Sequence, residues 1–156
     1  MPKLYLLTPF LLAGSLLAAD PFAGTWKLNL AKSKYSGPMK PPKEETIFIL
    51  EQGDQVVETV KGVAANGSPI SGTHTVAKTG GEVKYSEGTP PVGTSGVRAK
   101  RKAGSHSSDL RFMRDGTVVA TVHDVVSNDD KTIRTIIKGT DDHGKPFVSV
   151  IVYDRQ

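Results

Sequence analysis

The stretch Asp20-Pro-Phe-Ala-Gly-Thr-Trp-Lys-Leu-Asn-Leu30 decides the fold of this chain. Its apolar residues Phe22, Trp26, Leu28 and Leu30 occupy even positions, and polar residues fall between most of them. Alternation of this kind predicts a β-strand with one face toward a core and the other toward solvent. Trp26 is the only tryptophan of the chain, and we expect it to be a structural residue that fills one end of the core.

The residues before this stretch have the order of a secretion signal. Lys3 provides a positive start, an apolar run follows, and Ala18 and Ala19 offer small residues for cleavage. The apolar run is shorter than the roughly 20 residues that a membrane-spanning helix needs. We therefore predict a signal peptide over residues 1–19, with an uncleaved anchor as the alternative, and one secreted or periplasmic domain over residues 20–156.

The composition narrows the class of protein. A mature chain of this length is sufficient for one domain with its own core, which we expect to be a monomer. The chain has no cysteine, which excludes disulfides, thiol nucleophiles and thiolate metal sites. Its formal net charge of +4 is ordinary for a small soluble domain.

A proline-rich link over residues 31–43 follows the first predicted strand. It holds Pro38, Pro41 and Pro42 among four lysines, which is too much proline for a helix. We expect an extended connection on the surface.

After this link, the chain is a succession of predicted strands. Segments rich in β-branched and aromatic residues alternate with turn signals such as Gly53-Asp54, Ala65-Asn66-Gly67 and Asp115-Gly116. No segment keeps a helical period over about 11 residues. The pattern predicts an all-β fold, an antiparallel up-and-down barrel of about 8–10 strands, because closure removes exposed sheet edges. A two-sheet sandwich is the alternative.

The triplet Gly24-Thr25-Trp26 resembles the Gly-x-Trp signature of lipocalins and the wider calycin group, and it implies structural roles for Gly24 and Trp26. Residues 22–28 also resemble the opening of fatty-acid-binding proteins, and residues 152–155 are similar to their last strand. Most of the mature chain is similar to a group of secreted bacterial proteins without an assigned activity, through residues 20–35, Gly139-Thr-Asp and the closing Val-Tyr-Asp-x-Gln156. These resemblances imply a lipocalin-like barrel.

The resemblance to fatty-acid-binding proteins also implies two features from which this chain departs. One is a clamp for the ligand carboxylate, with an arginine two residues before the tyrosine that corresponds to Tyr153; here that position is Ile151. The other is a helical lid, which would have to fit within the proline-rich link. The resemblance therefore supports the barrel more than the clamp.

The candidate ligand contacts come from three predicted strands. Tyr153, Phe147 and Ile151 share one face of the last strand, and an inward face would bring a hydroxyl beside apolar walls. Arg134 lies mid-strand, and either face of its strand could be the inner one. Turned inward it would anchor an anionic group, and turned outward it would be solvated. His123 is a further candidate, because a haem-binding barrel needs only one axial histidine.

Other kinds of site find little support. The four histidines lack metal-binding spacing and the aspartate-rich turns lack the distal glutamate of a calcium loop, so we predict no metal and no cofactor. No nucleophile elbow or acid–base pair stands out. Arg98, Lys100, Arg101 and Lys102 form one basic cluster. It has no interleaved aromatic residues, which argues against a nucleic-acid partner. A solvated strand, or contact with an anionic envelope surface, is favoured instead.

Together these observations predict a secreted or periplasmic binding protein for a small hydrophobic or amphipathic ligand. We expect it not to be an enzyme and to have no membrane span after cleavage. The alternative is a non-enzymatic envelope or extracellular interaction module with a packed barrel, which would act through the basic strand or the proline-rich link.

Overall fold

The computed structural model describes residues 19–88 and 94–156, so nearly all of the predicted signal peptide lies outside the described residues. Within these ranges the chain forms eleven β-strands and one 3₁₀ helix, and no described helix is long and apolar enough to cross a membrane. The strands are β1 Gly24–Leu28, β2 Glu44–Gln52, β3 Gln55–Val63, β4 Pro69–Ala77, β5 Gly81–Glu82, β6 Lys84–Glu87, β7 Gly96–Arg101, β8 Ser107–Arg114, β9 Thr117–Val126, β10 Thr132–Thr140 and β11 Pro146–Arg155; the 3₁₀ helix is Leu30–Lys32.

The strands form one antiparallel sheet whose neighbours largely follow the order of the chain. β1 lies between β11 and β2, so the first and last strands are paired. The remaining gap is filled by residues 81–87, which we call the closure segment. Its first half, β5, pairs with β7, and its second half, β6, pairs with β4. The sheet is thereby closed into an up-and-down barrel, which confirms the predicted fold class.

Strand alternation decides which side chains the barrel encloses. On β10, Ile133 and Ile137 are buried, whereas Arg134 and Lys138 are exposed. Odd-numbered positions of β11 face inward in the same way, so Tyr153 is buried near the end of this last strand. The two-sheet sandwich is excluded because one continuous sheet surrounds the interior.

Trp26 closes one end of the core. Its side chain has no accessible surface, and its indole Nε1 donates a hydrogen bond to the Phe22 carbonyl at 2.8 Å. The guanidinium of Arg155 lies over the indole, 4.1 Å from the ring centroid. Gly24 has a φ of 140°, and a Cβ there would lie 2.5 Å from Arg155 Nη1, so this position requires glycine.

Asp20 ties the start of the domain to the same end. It is buried and forms an ion pair with Arg101 of β7, whose guanidinium also lies 5.5 Å from the centroid of the Phe22 ring. The backbone nitrogen of Asp20 donates to Glu51 Oε1 at 2.5 Å. The chain is thus anchored across the barrel before β1 begins.

After its first two residues, which belong to the 3₁₀ helix, the proline-rich link contains no helix, but it is not only a surface connection. Lys34 forms an isolated antiparallel bridge with Val150, which lays this part of the link along β11. Tyr35 and Met39 pack against the core. The sequence did not predict these inward contacts, because they depend on a partner strand at the far end of the chain.

Candidate functional site

A cavity of about 1160 Å³ occupies the interior of the barrel. Its wall is mostly apolar and includes Ile49, Val56, Leu110, Phe112, Ile133 and Ile137. The cavity runs from the Trp26 end to the proline-rich link and the turns that connect β3 with β4 and β10 with β11. Ligand pockets are typically about 300–1,000 Å³, so the space is sufficient for a small molecule. The barrel is hollow rather than packed.

Three of the predicted ligand contacts line this cavity: Tyr153, Phe147 and Ile151, all on the inner face of β11. Phe147 lies at the end where the proline-rich link crosses. A Cβ added at Gly37 would lie 2.6 Å from Phe147 Cβ, and one added at Gly139 would lie 2.8 Å from Phe147 Cζ. The phenyl ring is therefore held between these two glycines, which leave it the room to face the cavity.

The other two predicted contacts, Arg134 and His123, do not line the cavity. Both are exposed on the outer face of the barrel. Arg134 points to solvent because β10 turns its odd-numbered positions inward. His123 lies on the outer face of β9 and pairs with Asp109, with 2.7 Å between Nδ1 and Oδ1. Neither residue is positioned to anchor an anion or to hold a haem inside the barrel, so both are removed from the candidate site.

The basic cluster is also divided by alternation. Arg98, Lys100 and Lys102 are exposed on the outer surface. Arg101 turns inward instead, and only 7% of its side chain is exposed because Asp20 and Phe22 cover it. The outer basic face therefore consists of three residues rather than the four in the sequence cluster.

Polar groups face the middle of the cavity, and of these the sequence predicted only Tyr153. We call them the interior polar cluster; they are Tyr35, Glu45, Glu58, His74, Tyr85, Asp124, Thr135 and Tyr153. A signal for them exists in the sequence. Glu45 has the same parity as Ile47 and Ile49, so an alternating strand places the carboxylate on the apolar face.

Glu45 and Tyr153 form a hydrogen-bonded pair. Tyr153 Oη donates to Glu45 Oε1 at 2.6 Å. Burial raises the pKa of Tyr153 well above its ordinary value, and the charge of Glu45 adds to this effect. Burial also raises the pKa of Glu45, although the hydrogen bond from Tyr153 acts in the opposite direction. The hydroxyl proton of Tyr153 is thus already engaged by a carboxylate.

Glu58 and His74 face each other on adjacent strands, with 3.6 Å between Glu58 Oε2 and His74 Nε2. Burial acts to lower the pKa of His74, but Glu58 outweighs it and the net shift is upward. The Tyr85 ring lies beside the imidazole with 5.3 Å between centroids. Among residues 19–88 and 94–156, no three histidine or acidic side chains are arranged to hold a metal ion.

Asp124 is the most strongly perturbed acid of the cluster. It accepts a hydrogen bond from Thr135 Oγ1, 2.5 Å from Oδ1, and the surface it retains faces the cavity. Burial raises its pKa to about 7, against the lowering effect of the Thr135 hydrogen bond, and the negative charge of Glu58 acts in the same direction as burial. No residue in the described part of the chain donates a hydrogen bond to its second oxygen, Oδ2.

Comparison with known proteins gives similarity in structure only. No protein-family model and no curated protein matches the chain. Zebrafish ileal bile acid-binding protein, in complex with cholic acid, is 12% identical over 88% of this chain and 100% of its own length, with a TM-score of 0.54. A point mutant of the fluorescent protein UnaG is 18% identical over 86% of this chain and 95% of its own, with a TM-score of 0.52.

Lobster apocrustacyanin A1 is 12% identical over 87% of this chain, with a TM-score of 0.47, and the alignment spans 61% of the lobster protein's length. Because the sequence identities to the zebrafish protein and to UnaG are low, these two similarities establish the fold and nothing more. The comparisons therefore confirm the predicted antiparallel β-barrel fold. The closer similarity to secreted bacterial proteins stays a prediction.

Proposed function

We propose that this protein binds a small hydrophobic or amphipathic molecule inside its barrel and does not convert it chemically. The cavity of about 1160 Å³ carries this proposal, because its wall is mostly apolar and contains a few polar groups. Domains of this size normally pack their interiors closely, and empty space in a core lowers stability. The structurally similar zebrafish protein complexed with cholic acid is consistent with the proposal. The packed-barrel alternative has no support from this interior.

Binding of the neutral dye Nile red tests the proposal. Ala120 lines the cavity, and its neighbour Thr121 is exposed on the outer face of the same strand. The wild-type protein should bind one Nile red molecule with enhanced, blue-shifted fluorescence. Ala120→Trp should weaken binding at least about tenfold, or about 1.4 kcal/mol, because the indole fills the cavity. Thr121→Trp is the matched control and should bind as the wild type does.

Circular dichroism spectra of both variants establish that they are folded. The proposal fails if the wild-type protein does not bind the dye, or if a folded Ala120→Trp variant binds it unchanged. Native mass spectrometry of protein purified without refolding supplies a second readout, since a resident ligand would add its mass to the folded protein.

We also propose that the mature protein acts outside the cytoplasm after removal of residues 1–19. The order of charge, apolar run and small residues supports this location. The backbone nitrogen of Asp20 lies 2.5 Å from Glu51 Oε1, so an ammonium group created there by cleavage would meet a carboxylate. N-terminal sequencing of the exported protein should begin at Asp20. An exported chain that retains the leader would contradict the proposal.

A further inference from the structure

Three carboxylates reach the cavity from opposite walls. Glu45 lies on β2 and Glu58 on β3, whereas Asp124 lies on β9, five strands from β3 around the barrel. Asp124 therefore faces Glu58 across the cavity. The negative charge of Glu58 contributes to the upward pKa shifts of both Glu45 and Asp124, so the three acids act as one electrostatic group.

The cations that line the cavity lie at its ends rather than beside these acids. Arg101 is engaged by Asp20 at the Trp26 end. Lys40 is exposed in the proline-rich link. Arg114 pairs with Asp142 at 3.4 Å, near the turns at the other end. In the middle of the described cavity wall, His74 is the one positively ionisable side chain, and it lies beside Glu58. Acidic groups are therefore in excess there.

Part of this acidic group lacks a partner. Asp124 is partly buried, its Oδ1 accepts a hydrogen bond from Thr135, and its Oδ2 receives none from the residues that the structure describes. A carboxylate in a largely apolar cavity with a single donor and no basic side chain of the described cavity wall beside it is unfavourable when ionised, so a ligand that supplied a second donor and a positive charge would be favoured. The acids are not arranged to hold a metal ion together. What would complete the site is a positively charged hydrogen-bond donor carried by a molecule that fits an apolar cavity.

An anionic ligand fits this interior less well. The position that would hold an arginine in a carboxylate clamp is Ile151, whose side chain is buried in the cavity wall. The hydroxyl of Tyr153 already donates to Glu45. A ligand carboxylate at mid-cavity would therefore meet three acids and no arginine or lysine among the described lining residues of that region.

We propose that the ligand is an amphipathic organic cation, a protonated amine on an apolar body, whose ammonium group lies among Glu45, Glu58 and Asp124. This inference rests on the proposed function, because the cation would occupy the same cavity. The apolar body would lie against the aliphatic and aromatic walls, and the ammonium protons would be donated to carboxylate oxygens, including Asp124 Oδ2.

Competition against Nile red with three amphiphiles of equal chain length tests the inference: dodecylammonium, dodecanol and dodecanoate, each below its micelle concentration. At about pH 8 the amine remains protonated and Asp124 is mostly ionised. Dodecylammonium should bind at least about tenfold more tightly than dodecanol, and dodecanoate should bind most weakly.

Two isosteric variants and one matched control assign the preference to the acids. Asp124→Asn and Glu58→Gln should each reduce dodecylammonium affinity at least about fivefold and leave dodecanol affinity unchanged. Glu44→Gln is the control, because Glu44 precedes Glu45 but is exposed on the outer face. Its affinities should match those of the wild type.

The outcomes separate the inference from the proposed function. If Nile red binds but dodecylammonium competes no better than dodecanol or dodecanoate, the inference is overturned and the proposed function stands. Equal dodecylammonium affinity in the wild type and in both acid variants also overturns the inference. If neither Nile red nor any of the amphiphiles binds, both proposals fail.

Discussion

Two interior residues differ in how completely their surroundings satisfy them. Trp26 has no accessible surface, and both its ring and its N–H group have partners within the barrel. Asp124 accepts a hydrogen bond from Thr135 at one carboxylate oxygen, and its side chain lines the cavity. The first residue therefore contributes to stability, whereas burial of the second disfavours its ionised form.

Truncation of Trp26 should destabilise the fold strongly. Trp26→Ala removes a fully buried indole, and we expect a loss of about 3–5 kcal/mol in the free energy of unfolding. Urea unfolding followed by far-ultraviolet circular dichroism measures this loss. Leu50→Ala is the control, because Leu50 is 58% exposed and its truncation should cost about 0.5 kcal/mol or less. Equal losses in the two variants would contradict the role assigned to Trp26.

Asp124 should make stability depend on pH. Burial raises its pKa from 3.8 to about 7, so the folded state binds the proton more tightly than the unfolded state does. Its contribution is thus most favourable at low pH, and it is lost as the pH rises from about 4 through 7. Two negative charges, Glu58 across the cavity and Asp109 on β8, also raise the pKa of Asp124. His123 on the same strand and the hydrogen bond from neutral Thr135 on β10 lower it.

Asp124→Asn removes this titration while it keeps an acceptor for Thr135. The variant should be more stable than the wild type at about pH 8, by an amount on the order of 2 kcal/mol, and the difference should shrink toward about pH 4. Urea unfolding across this range measures it. A difference that does not change with pH, or a wild type that is more stable at the higher pH, would show that Asp124 is not held in a desolvated site.

Single charged residues in strands were the least predictable part of the site. β10 carries Ile133, Ile136 and Ile137, so apolar residues occur on both of its faces and the sequence does not say where Arg134 points. The barrel resolves this because Ile133 and Ile137 are buried together. No prediction singled out Asp124, because a lone aspartate in a strand is normally solvated.

At the scale of elements, the hairpins follow from local chemistry and could be predicted. Asp115 and Gly116 have φ values of 48° and 79°, the left-handed conformations that a tight hairpin turn requires. The sequence pattern predicts strands over residues 97–102, 107–113, 117–127, 131–138 and 146–153, and the bounds of β7 to β11 agree with these to within two residues. In the closure segment the sequence pattern predicts one short strand over residues 83–86, and it cannot predict the division between β4 and β7, because that depends on how the distant edges meet.

The closure segment should be the part of the barrel that opens most readily. β5 and β6 have only 2 and 4 residues, whereas β9 has 10. Short ladders open locally at lower free energy than long central ones. Hydrogen exchange measured by mass spectrometry should therefore show faster exchange for residues 81–87 than for β8 to β10. Equal protection in both regions would contradict this description of the closure.

At the scale of the whole molecule, the sequence predicted closure but not the content of the interior. Strand order follows from the succession of hairpin turns, and pairing of the first and last strands completes the circle; the eleven strands exceed the predicted 8–10 because the closure segment divides into two short strands. Whether such a barrel is packed or hollow depends on the summed volume of the inward side chains and on barrel width. The inward Gly72, Ala99 and Ala120 leave room that larger residues would fill.

The central claim is that the hollow interior of the barrel is the place where a ligand binds. Isoleucine methyl groups provide a direct test, because Ile49, Ile133, Ile137 and Ile151 line the cavity, whereas Ile136 lies between two of them on the outer face. Nuclear Overhauser effects should be measured between protons of bound dodecanol and δ1 methyl groups of the labelled protein. We expect contacts to methyl groups of the cavity-lining isoleucines, which also include Ile47 and Ile70, and none to Ile136; contacts to Ile136 alone, or to no isoleucine, would contradict this claim.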